Sequence, residues 1–208
     1  GGLKLIEINK IIEKIRNISL NTNSKFQKKN LAMAIAATKL CGLKDKKIYN
    51  SLKKINDVSG RLELIRKFPN NIKVFIDYAH TPDALFKTIQ SLKDTYEKKI
   101  SLVFGCGGDR DKKKRPLMAK IANKHCNKIY VTDDNPRNED PKKIRNEIIR
   151  NINNNKCFNI GHRAGAIKKA ILNSEQNEVI LIAGKGHETQ QVYKNKILSI
   201  SDKKIVKN

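Results

Sequence analysis

From about residue 60 onward, short apolar runs rich in β-branched residues alternate with segments of helical character. The strand-like runs lie at residues 72–76, 100–104, 128–132, 158–160 and 179–183. The helix-like segments lie at residues 82–92, 116–124, 141–151 and 163–172, and residues 191–200 suit a last strand or a hairpin. Alternation at such short intervals is typical of parallel strands joined by helices. We therefore predict an α/β fold with a Rossmann-like, mostly parallel sheet and helices on both faces.

The N-terminal part of the chain has a different character, because residues 3–57 have a helical pattern. Residues 31–40 are rich in alanine, the strongest helix former. Later apolar residues recur at helical spacing, at Ile48, Leu52 and Ile55. Residues 57–60, Asp-Val-Ser-Gly, form a turn-prone cluster that separates the two patterns. We therefore divide the chain into residues 1–58 and residues 59–208.

The net charge of +24 raises the question of a nucleic-acid partner. Lysine is spread through every segment, aromatic residues make up only 5% of the chain, and the signatures of common nucleic-acid-binding domains are absent from the sequence. We therefore predict an attraction for anionic small molecules such as nucleotides, and no specific nucleic-acid partner.

Several classes of protein are disfavoured by the remaining composition. The sequence has no apolar run of about 18 residues and no N-terminal signal peptide, so we predict no membrane partner. The four cysteines form neither a C-x-x-C pair nor a zinc spacing, which predicts reduced thiols, no metal site and a cytoplasmic protein. The first residue is not methionine, so we expect the chain to be a fragment or a processed piece.

The most unusual residues follow the ends of four predicted strands, at residues 77–83, 105–111, 133–137 and 184–188. In sheets of this kind, ligands bind outside the carboxyl ends of the strands. We therefore expect these four loops to converge at one edge of the sheet.

Residues 134–137, Asp-Asn-Pro-Arg, carry the groups that an α-amino acid requires. Asp134 and Asn135 offer acceptors for an ammonium group, Pro136 stiffens the turn, and Arg137 offers a planar fork for a carboxylate. A turn whose polar side chains bind only their own backbone is an equally good interpretation of these residues alone.

The other three loops are also ambiguous when each is taken alone. The glycine-rich loop 105–111 is neither a Walker A nor a G-x-G-x-x-G motif, but its Arg110 can bind a carboxylate or phosphate in bidentate fashion. In loop 184–188 a carboxylate can receive an ammonium group. In loop 77–83 the flat side chains of Tyr78 and His80 can lie against a nucleotide base. A structural turn, or packing against the sheet edge, is the alternative for each.

Taken together and in this order, the four loops resemble those of the Mur ligase family, in its meso-diaminopimelate-adding branch. Residues 59–63, Ser-Gly-Arg-Leu-Glu, resemble the family's junction between central and C-terminal domains, and residues 30–32, Asn-Leu-Ala, the end of its central domain. The resemblance runs from about residue 26 to the C-terminus. It implies that residues 1–58 are the end of the central ATPase domain and that residues 59–208 are the Mur ligase C-terminal domain.

The resemblance also implies a reaction in peptidoglycan synthesis. ATP phosphorylates the terminal carboxylate of UDP-N-acetylmuramoyl-L-alanyl-D-glutamate, and the amine of meso-diaminopimelate attacks the acyl phosphate to form an amide. Mg²⁺ would be held by parts of the family fold that are absent from this sequence. Positioning and neutralisation of phosphate charge would supply most of the catalysis.

Site residues follow from the same resemblance, although it assigns no catalytic residue here. The implied diaminopimelate contacts are Arg110, Asp134, Asn135, Pro136, Arg137, Gly184 and Glu188. The implied ATP contacts are Asn30, Arg61, Tyr78, His80 and Asp109. Lysine-adding relatives lack the arginine at the position of Arg137, which agrees with the additional carboxylate of diaminopimelate.

The sequence departs from the family pattern in ways that leave other functions open. The family's P-loop is absent, and Lys113 stands where the family usually has glycine. We therefore expect this chain alone not to catalyse ligation. The alternatives are a non-catalytic Mur-like ligand-binding module and a fragment of a folate-type glutamate ligase, in which the Asp-Asn-Pro-Arg motif is not expected.

Overall fold

The computed structural model describes residues 2–16, 25–55 and 58–208, and the chain divides into two compact units, Gly1–Asp57 and Val58–Asn208. The first unit contains the helices α1 (Gly2–Arg16), α2 (Lys25–Leu40) and α3 (Asp45–Ser51), and a 3-10 turn at Leu52–Lys54. Its core consists of Ile11, Ile15, Ala32, Ile35, Ile48 and Leu52. The predicted helical character is confirmed for the described residues, although Ile55 lies beyond the last turn and is exposed.

The second unit consists of strands and helices that alternate along the chain. Its strands are β1 (Glu63–Phe68), β2 (Ile72–Asp77), β3 (Ile100–Phe104), β4 (Lys128–Val131), β5 (Cys157–Asn159), β6 (Val179–Ala183), β7 (Gln190–Tyr193) and β8 (Lys196–Ser199). Its helices are α4 (Pro82–Tyr96), α5 (Lys114–His125), α6 (Pro141–Ile149), α7 (Arg163–Leu172) and α8 (Asp202–Lys207). The predicted strands and helices are all found, with ends that differ by a few residues.

Six strands form one sheet in the order β1-β2-β6-β3-β4-β5, while β7 and β8 form a separate hairpin. Strands β2 to β6 are all parallel, and only β1 runs antiparallel to its neighbour. Asp77 at the end of β2 pairs with Ala183 at the end of β6, so the loops that follow these strands leave the same edge. The predicted mostly parallel α/β fold is confirmed.

Helices cover both faces of the sheet, as the strand pattern predicted. Along β6, Val179, Leu181 and Ala183 point into a core shared with α4, α5 and α6. Ile180 and Ile182 point into a second core shared with α7 and α8. Successive residues of a strand face opposite sides, so β6, which is buried on both faces, is apolar at every position.

The loop after β2 turns directly into α4. Thr81 caps this helix, since its side chain accepts a hydrogen bond from the amide of Ala84 at 3.3 Å, and Pro82 occupies the first turn. The cap fixes the end of loop 77–81 at the edge of the sheet.

All four cysteines are free. Cys106 and Cys126 are buried, and burial raises the pKa of each thiol to about 12, whereas Cys41 is exposed. None of the helices in the described part of the chain is long and apolar enough to cross a membrane.

Candidate functional site

The loops that follow β3, β4 and β6 are packed against each other at the carboxyl edge of the sheet. Gly184 has a φ of +110°, and a Cβ placed there would lie 2.7 Å from Oδ2 of Asp134. A Cβ at Gly105 would lie 2.2 Å from the carbonyl oxygen of Thr132. Side chains are therefore excluded at both positions, which lets the three loops approach closely.

The loop after β2 and the segment before β1 complete this edge. A Cβ at Gly60 would lie 2.3 Å from the amide nitrogen of His187, and one at Gly186 would lie 2.9 Å from Cβ of Tyr78. The expected convergence of the four strand-end loops is therefore confirmed.

Lys185, Asn135 and Glu188 form a compact hydrogen-bonded group in this region. Nζ of Lys185 donates to Oδ1 of Asn135 at 3.0 Å and to Oε2 of Glu188 at 2.9 Å. Nδ2 of Asn135 donates to the same Oε2 at 3.1 Å. The Lys185 side chain is 1% exposed and that of Glu188 is 32% exposed, so a buried ammonium supports a carboxylate that still reaches solvent.

The charge of Glu188 is set by these neighbours. Burial alone would raise the pKa of Glu188, but the hydrogen bond and charge of Lys185 hold it below its usual value, with smaller contributions from Asn135 and His187. Glu188 is therefore an anion at neutral pH.

Two acceptor groups of this region have no protein donor among the residues that the structure describes. The half-buried carboxylate of Asp134 accepts no hydrogen bond from them, and neither does Oε1 of Glu188. Asn135, the residue directly after Asp134, donates to Glu188, so the two carboxylates lie on adjoining loops and can serve one ligand group.

Two guanidinium groups are likewise without a carboxylate partner in the described part of the chain. Arg137 uses Nη1 to donate to the carbonyl oxygens of Gly108 and Asn135, at 2.9 Å and 3.3 Å. Arg110 is exposed in loop 105–111. A Cβ on Gly107 would lie 2.9 Å from Nη1 of Arg137 and 3.8 Å from Cγ of Arg110, so both arginines flank the same glycine.

The hairpin β7–β8 holds the loop 133–137 in place. The amide of Arg137 donates to the carbonyl oxygen of Val192 at 3.0 Å, and the amide of Val192 donates to Oδ1 of Asn135 at 3.0 Å. The hydroxyl of Tyr193 donates to Oδ2 of Asp133 at 2.9 Å. Asp133 also forms an ion pair with Arg145 of α6.

The glycine-rich loop after β3 is supported by a buried arginine. Arg115 donates to both oxygens of Glu139, at 3.0 Å and 2.9 Å, and to Glu147 at 2.8 Å. Chiefly through the Arg115 hydrogen bonds, the pKa of Glu139 is lowered to about 2. Glu139 accepts in turn from the amide of Asp109, and Oδ2 of Asp109 accepts from Asn138, which joins the loops after β3 and β4.

A second group of side chains lies beside Gly186. The guanidinium carbon of Arg61 lies 4.6 Å from the ring centroid of Tyr78. The centroid of the Tyr78 ring lies 4.7 Å from that of His80, in an edge-on contact, and 5.7 Å from that of His187. The buried Asp77 fixes the adjacent backbone by accepting from the amides of Leu62 and Ala79. Burial raises the pKa of Asp77, against these hydrogen bonds.

The structure thus brings together most of the residues that the sequence singled out. Asp134, Asn135, Arg137, Gly184 and Glu188 lie on the adjoining loops after β4 and β6, Pro136 is buried in its loop, and Arg110 lies beside Arg137. Arg61 and His80 both contact the ring of Tyr78, whereas Asp109 belongs to the glycine-rich loop. Asn30 is an exposed residue of α2 in the first unit.

Sequence reasoning missed the residues that support these loops, because most of their partners are distant in sequence. They are Lys185, Tyr193, Arg145, Arg115 and the buried pair Arg163–Asp202. The one available signal was the position of Lys185 between two glycines directly after a fully apolar strand.

Comparison with known proteins identifies the family. The domain family described as "Mur ligase, glutamate ligase domain" matches residues 60–186. The chain belongs to the Mur ligase family. The matched residues of this Mur ligase domain include the strand-end loops after β2, β3 and β4 and the start of the loop after β6.

Two curated relatives of this Mur ligase domain are both named UDP-N-acetylmuramoyl-L-alanyl-D-glutamate–2,6-diaminopimelate ligase. The protein of Rickettsia montanensis is 41% identical over 220 residues, an alignment that covers 100% of this chain and 45% of the relative. That of Buchnera aphidicola is 41% identical over 182 residues, which cover 87% of this chain and 36% of the relative. The chain therefore spans less than half the length of these relatives.

Solved structures agree with the family and the fold. A structure of a UDP-N-acetylmuramoyl-L-alanyl-D-glutamate–2,6-diaminopimelate ligase matches 91% of this Mur ligase chain, and 39% of its own, with a TM-score of 0.69 and 33% identity. A UDP-N-acetylmuramate–alanine ligase of Thermotoga maritima matches 80% of this chain and 36% of its own, with a TM-score of 0.60 and 22% identity, and so shares the fold.

Proposed function

We propose that the pocket at the carboxyl edge of the sheet binds meso-diaminopimelate. We further propose that the chain is the C-terminal part of an ATP-dependent ligase that joins this amino acid to UDP-N-acetylmuramoyl-L-alanyl-D-glutamate in cytoplasmic peptidoglycan synthesis. The observation that carries the proposal is a set of groups on adjoining loops that have no ion-pair partner among the described residues, namely the Asp134 carboxylate and the guanidinium groups of Arg137 and Arg110. Oε1 of Glu188 joins this set, because Lys185 and Asn135 both donate to the other oxygen. The names of the relatives support the same substrates.

The charges of the pocket complement those of the proposed ligand. An ammonium group fits between Asp134 and the free Oε1 of Glu188, which are both acceptors. Carboxylates fit the guanidinium groups of Arg137 and Arg110, which can each donate two hydrogen bonds. Lysine has no second carboxylate, so it would leave one of these guanidinium groups unpaired and bind more weakly.

Asn135 and Pro136 have supporting roles in this proposal. Oδ1 of Asn135 already accepts hydrogen bonds from Lys185 and Val192, and only its Nδ2 retains a proton for the ligand. Pro136 restricts the backbone of the loop that presents Asp134 and Arg137.

ATP is proposed to contact the group formed by Arg61, Tyr78 and His80. An aromatic ring with a cation stacked on it offers a face for a base and a charge for phosphate, which fits a nucleotide. Asn30 and Asp109 are retained as further ATP contacts of the proposal. Mg²⁺ is proposed to be held by parts of the family fold outside this chain.

The residues of this chain would contribute to the reaction mainly by positioning. ATP transfers its γ-phosphoryl group to the substrate carboxylate, and the amine of the bound amino acid attacks the acyl carbon. Phosphate leaves and the amine loses a proton, which gives the amide. Holding the amine donor in one orientation converts this attack into an effectively intramolecular step.

Residues 1–58 are proposed to be the end of the central ATPase domain.

Substitution of Arg137 tests the proposed ligand directly. In a calorimetric titration with meso-diaminopimelate, we expect Arg137→Ala to weaken binding roughly 30-fold or more, because a ligand carboxylate loses its bidentate partner. Arg137→Lys retains the charge without the planar fork and should bind with intermediate affinity.

Arg150→Ala provides the control, since Arg150 is an exposed arginine at the end of α6, remote in sequence from the pocket loops. It should bind meso-diaminopimelate like the wild type. Equal binding by wild type and Arg137→Ala would refute the assignment of Arg137.

A further inference from the structure

Lys185 has no place among the proposed ligand contacts, yet it is the most deeply buried charge in the pocket. We propose that Lys185 is a positioning residue that holds one oxygen of Glu188 and leaves the other oxygen for the ammonium group of the ligand. The inference deepens the proposed function and rests on it for the identity of the ligand.

The hydrogen bonds of the pocket orient the carboxylate of Glu188. Lys185 and Asn135 both donate to Oε2, at 2.9 Å and 3.1 Å, and neither donates to Oε1. Two donors on one oxygen prevent the carboxylate from turning, so Oε1 remains directed away from them. Asn135 is held in turn by the amide of Val192, which ties this orientation to the hairpin β7–β8.

Stability alone does not account for a buried lysine at this position. Burying an ammonium is costly, and replacing a buried ion pair by apolar side chains is often neutral or stabilising. A lysine that is 1% exposed at the wall of a ligand pocket is more readily explained by what it does to Glu188.

The groups around Glu188 determine the effect of removing Lys185. Lys185 and His187 lie on the same loop, Asn135 and Asp134 on the loop after β4, and the charge of Arg163 acts from α7. Burial favours the protonated form of Glu188, and the hydrogen bond and charge of Lys185 are the largest opposing influences. Without Lys185, the pKa of Glu188 should therefore rise.

A double-mutant cycle on meso-diaminopimelate binding tests whether Lys185 acts through Glu188. We expect Lys185→Met to weaken binding roughly tenfold or more, because Glu188 loses a charge-assisted hydrogen bond. The double variant Lys185→Met/Glu188→Gln should bind no more weakly than Glu188→Gln alone, since Lys185 then has no carboxylate to position. Lys194→Met, at an exposed lysine in the β7–β8 turn, is the matched control and should bind like the wild type.

The outcomes of the cycle are distinct. Strongly non-additive losses support the positioning role. The positioning role would be overturned if the losses of binding free energy in the two single variants add up in the double variant. A purely structural lysine would give this result, because its removal would weaken binding equally in the wild type and in Glu188→Gln. Wild-type binding by Lys185→Met would overturn the role as well. If Lys185→Met does not fold, Lys185→Gln, which retains a hydrogen-bond donor without the charge, takes its place in the same cycle.

A ligand-free titration separates this inference from the proposed function. We expect the Glu188 carboxyl ¹³C signal to titrate at a higher pH in Lys185→Met than in the wild type. Affinity of the variant for meso-diaminopimelate should then fall as the pH is lowered from about 7 to about 5, while that of the wild type changes little. An unchanged Glu188 pKa contradicts the role of Lys185. If the wild-type protein does not bind meso-diaminopimelate, the proposed function is contradicted. The ligand-free titration of Glu188 then tests the role of Lys185 on its own.

Discussion

Arg163 and Asp202 form a fully buried ion pair in the second unit. Nε and Nη2 of Arg163 donate to the two carboxylate oxygens of Asp202 at 2.8 Å and 2.7 Å. Nη2 also donates to the carbonyl oxygen of Ala183, the residue directly before Gly184. The pair thereby joins the start of α7 and the start of α8 to the end of the central strand β6. This contact supports the loop that carries Lys185 and Glu188.

Breaking this pair should be costly to the fold. We expect Asp202→Asn to lower the free energy of unfolding by about 3–5 kcal/mol, because the buried Arg163 loses its hydrogen-bonded counter-ion. Urea denaturation measures this loss. The control is Asp83→Asn in the exposed pair Asp83–Lys87, which should cost about 1 kcal/mol or less. An equally small loss for Asp202→Asn would show that the pair is not needed.

Residues of the pocket differ in how far the sequence could predict them. Asp134, Arg137 and Glu188 directly follow strands, where ligand-binding residues concentrate in such sheets, so their position at one edge was predictable. Lys185 was not assigned, because its contact with Glu188 depends on the turn of the loop and its other partner, Asn135, lies 50 residues away. The same holds for Arg163, whose partner lies 39 residues away.

At the scale of elements, the hairpin β7–β8 is tied to the Asp-Asn-Pro-Arg loop by backbone and side-chain contacts. Its strands are mostly exposed, and strand β8 is exposed at every residue. An isolated two-stranded hairpin is at best marginally stable, so its contacts with the loop must fix its position. Gln191, Val192 and Tyr193 supply these contacts, through Asp133, Asn135 and Arg137.

Removal of the Tyr193 hydroxyl should loosen the hairpin locally. In Tyr193→Phe, the amide protons of Val192 and Arg137 should exchange about fivefold faster, corresponding to the loss of one hydrogen bond of about 1 kcal/mol. Native-state hydrogen exchange measures this effect. Tyr96→Phe in α4 is the matched control and should leave both amides unchanged. If Tyr193→Phe also leaves them unchanged, the hydroxyl does not hold the hairpin.

Some elements could not be predicted from local pattern. Strand β1 is an edge strand with half-buried and exposed residues, including Glu63, Arg66 and Lys67, so it lacks the apolar run of the interior strands. Helix α8 has six residues, too few for a helical period to be recognised, and it depends on the tertiary contact between Asp202 and Arg163. The interior strands were predictable because burial on both faces requires continuous apolar residues.

At the scale of the whole molecule, the fold class followed from the alternation of strands and helices, but the strand order did not. The return of β6 to a position between β2 and β3 sets Gly184 beside both the loop after β2 and the loop after β3. The pocket depends on this insertion. Local sequence pattern does not specify this order, because β2, β3 and β6 are all built mainly of buried apolar residues.

The high positive charge also acts at this scale. With 44 basic and 20 acidic residues, the chain attracts anions from a distance without any specific site. The pocket itself differs from this background, because it combines Asp134 and Glu188 with Arg137 and Arg110. Selectivity for a zwitterionic ligand must therefore come from the pocket and not from the overall charge.

A calorimetric comparison of meso-diaminopimelate with L-lysine, on the wild-type protein at one pH and ionic strength, tests the central claim most directly. The two amino acids differ by one carboxylate. The proposed pairing of that carboxylate with a guanidinium group predicts that meso-diaminopimelate binds roughly 30-fold or more tightly. Equal affinities for the two ligands, or binding of neither, would contradict the claim.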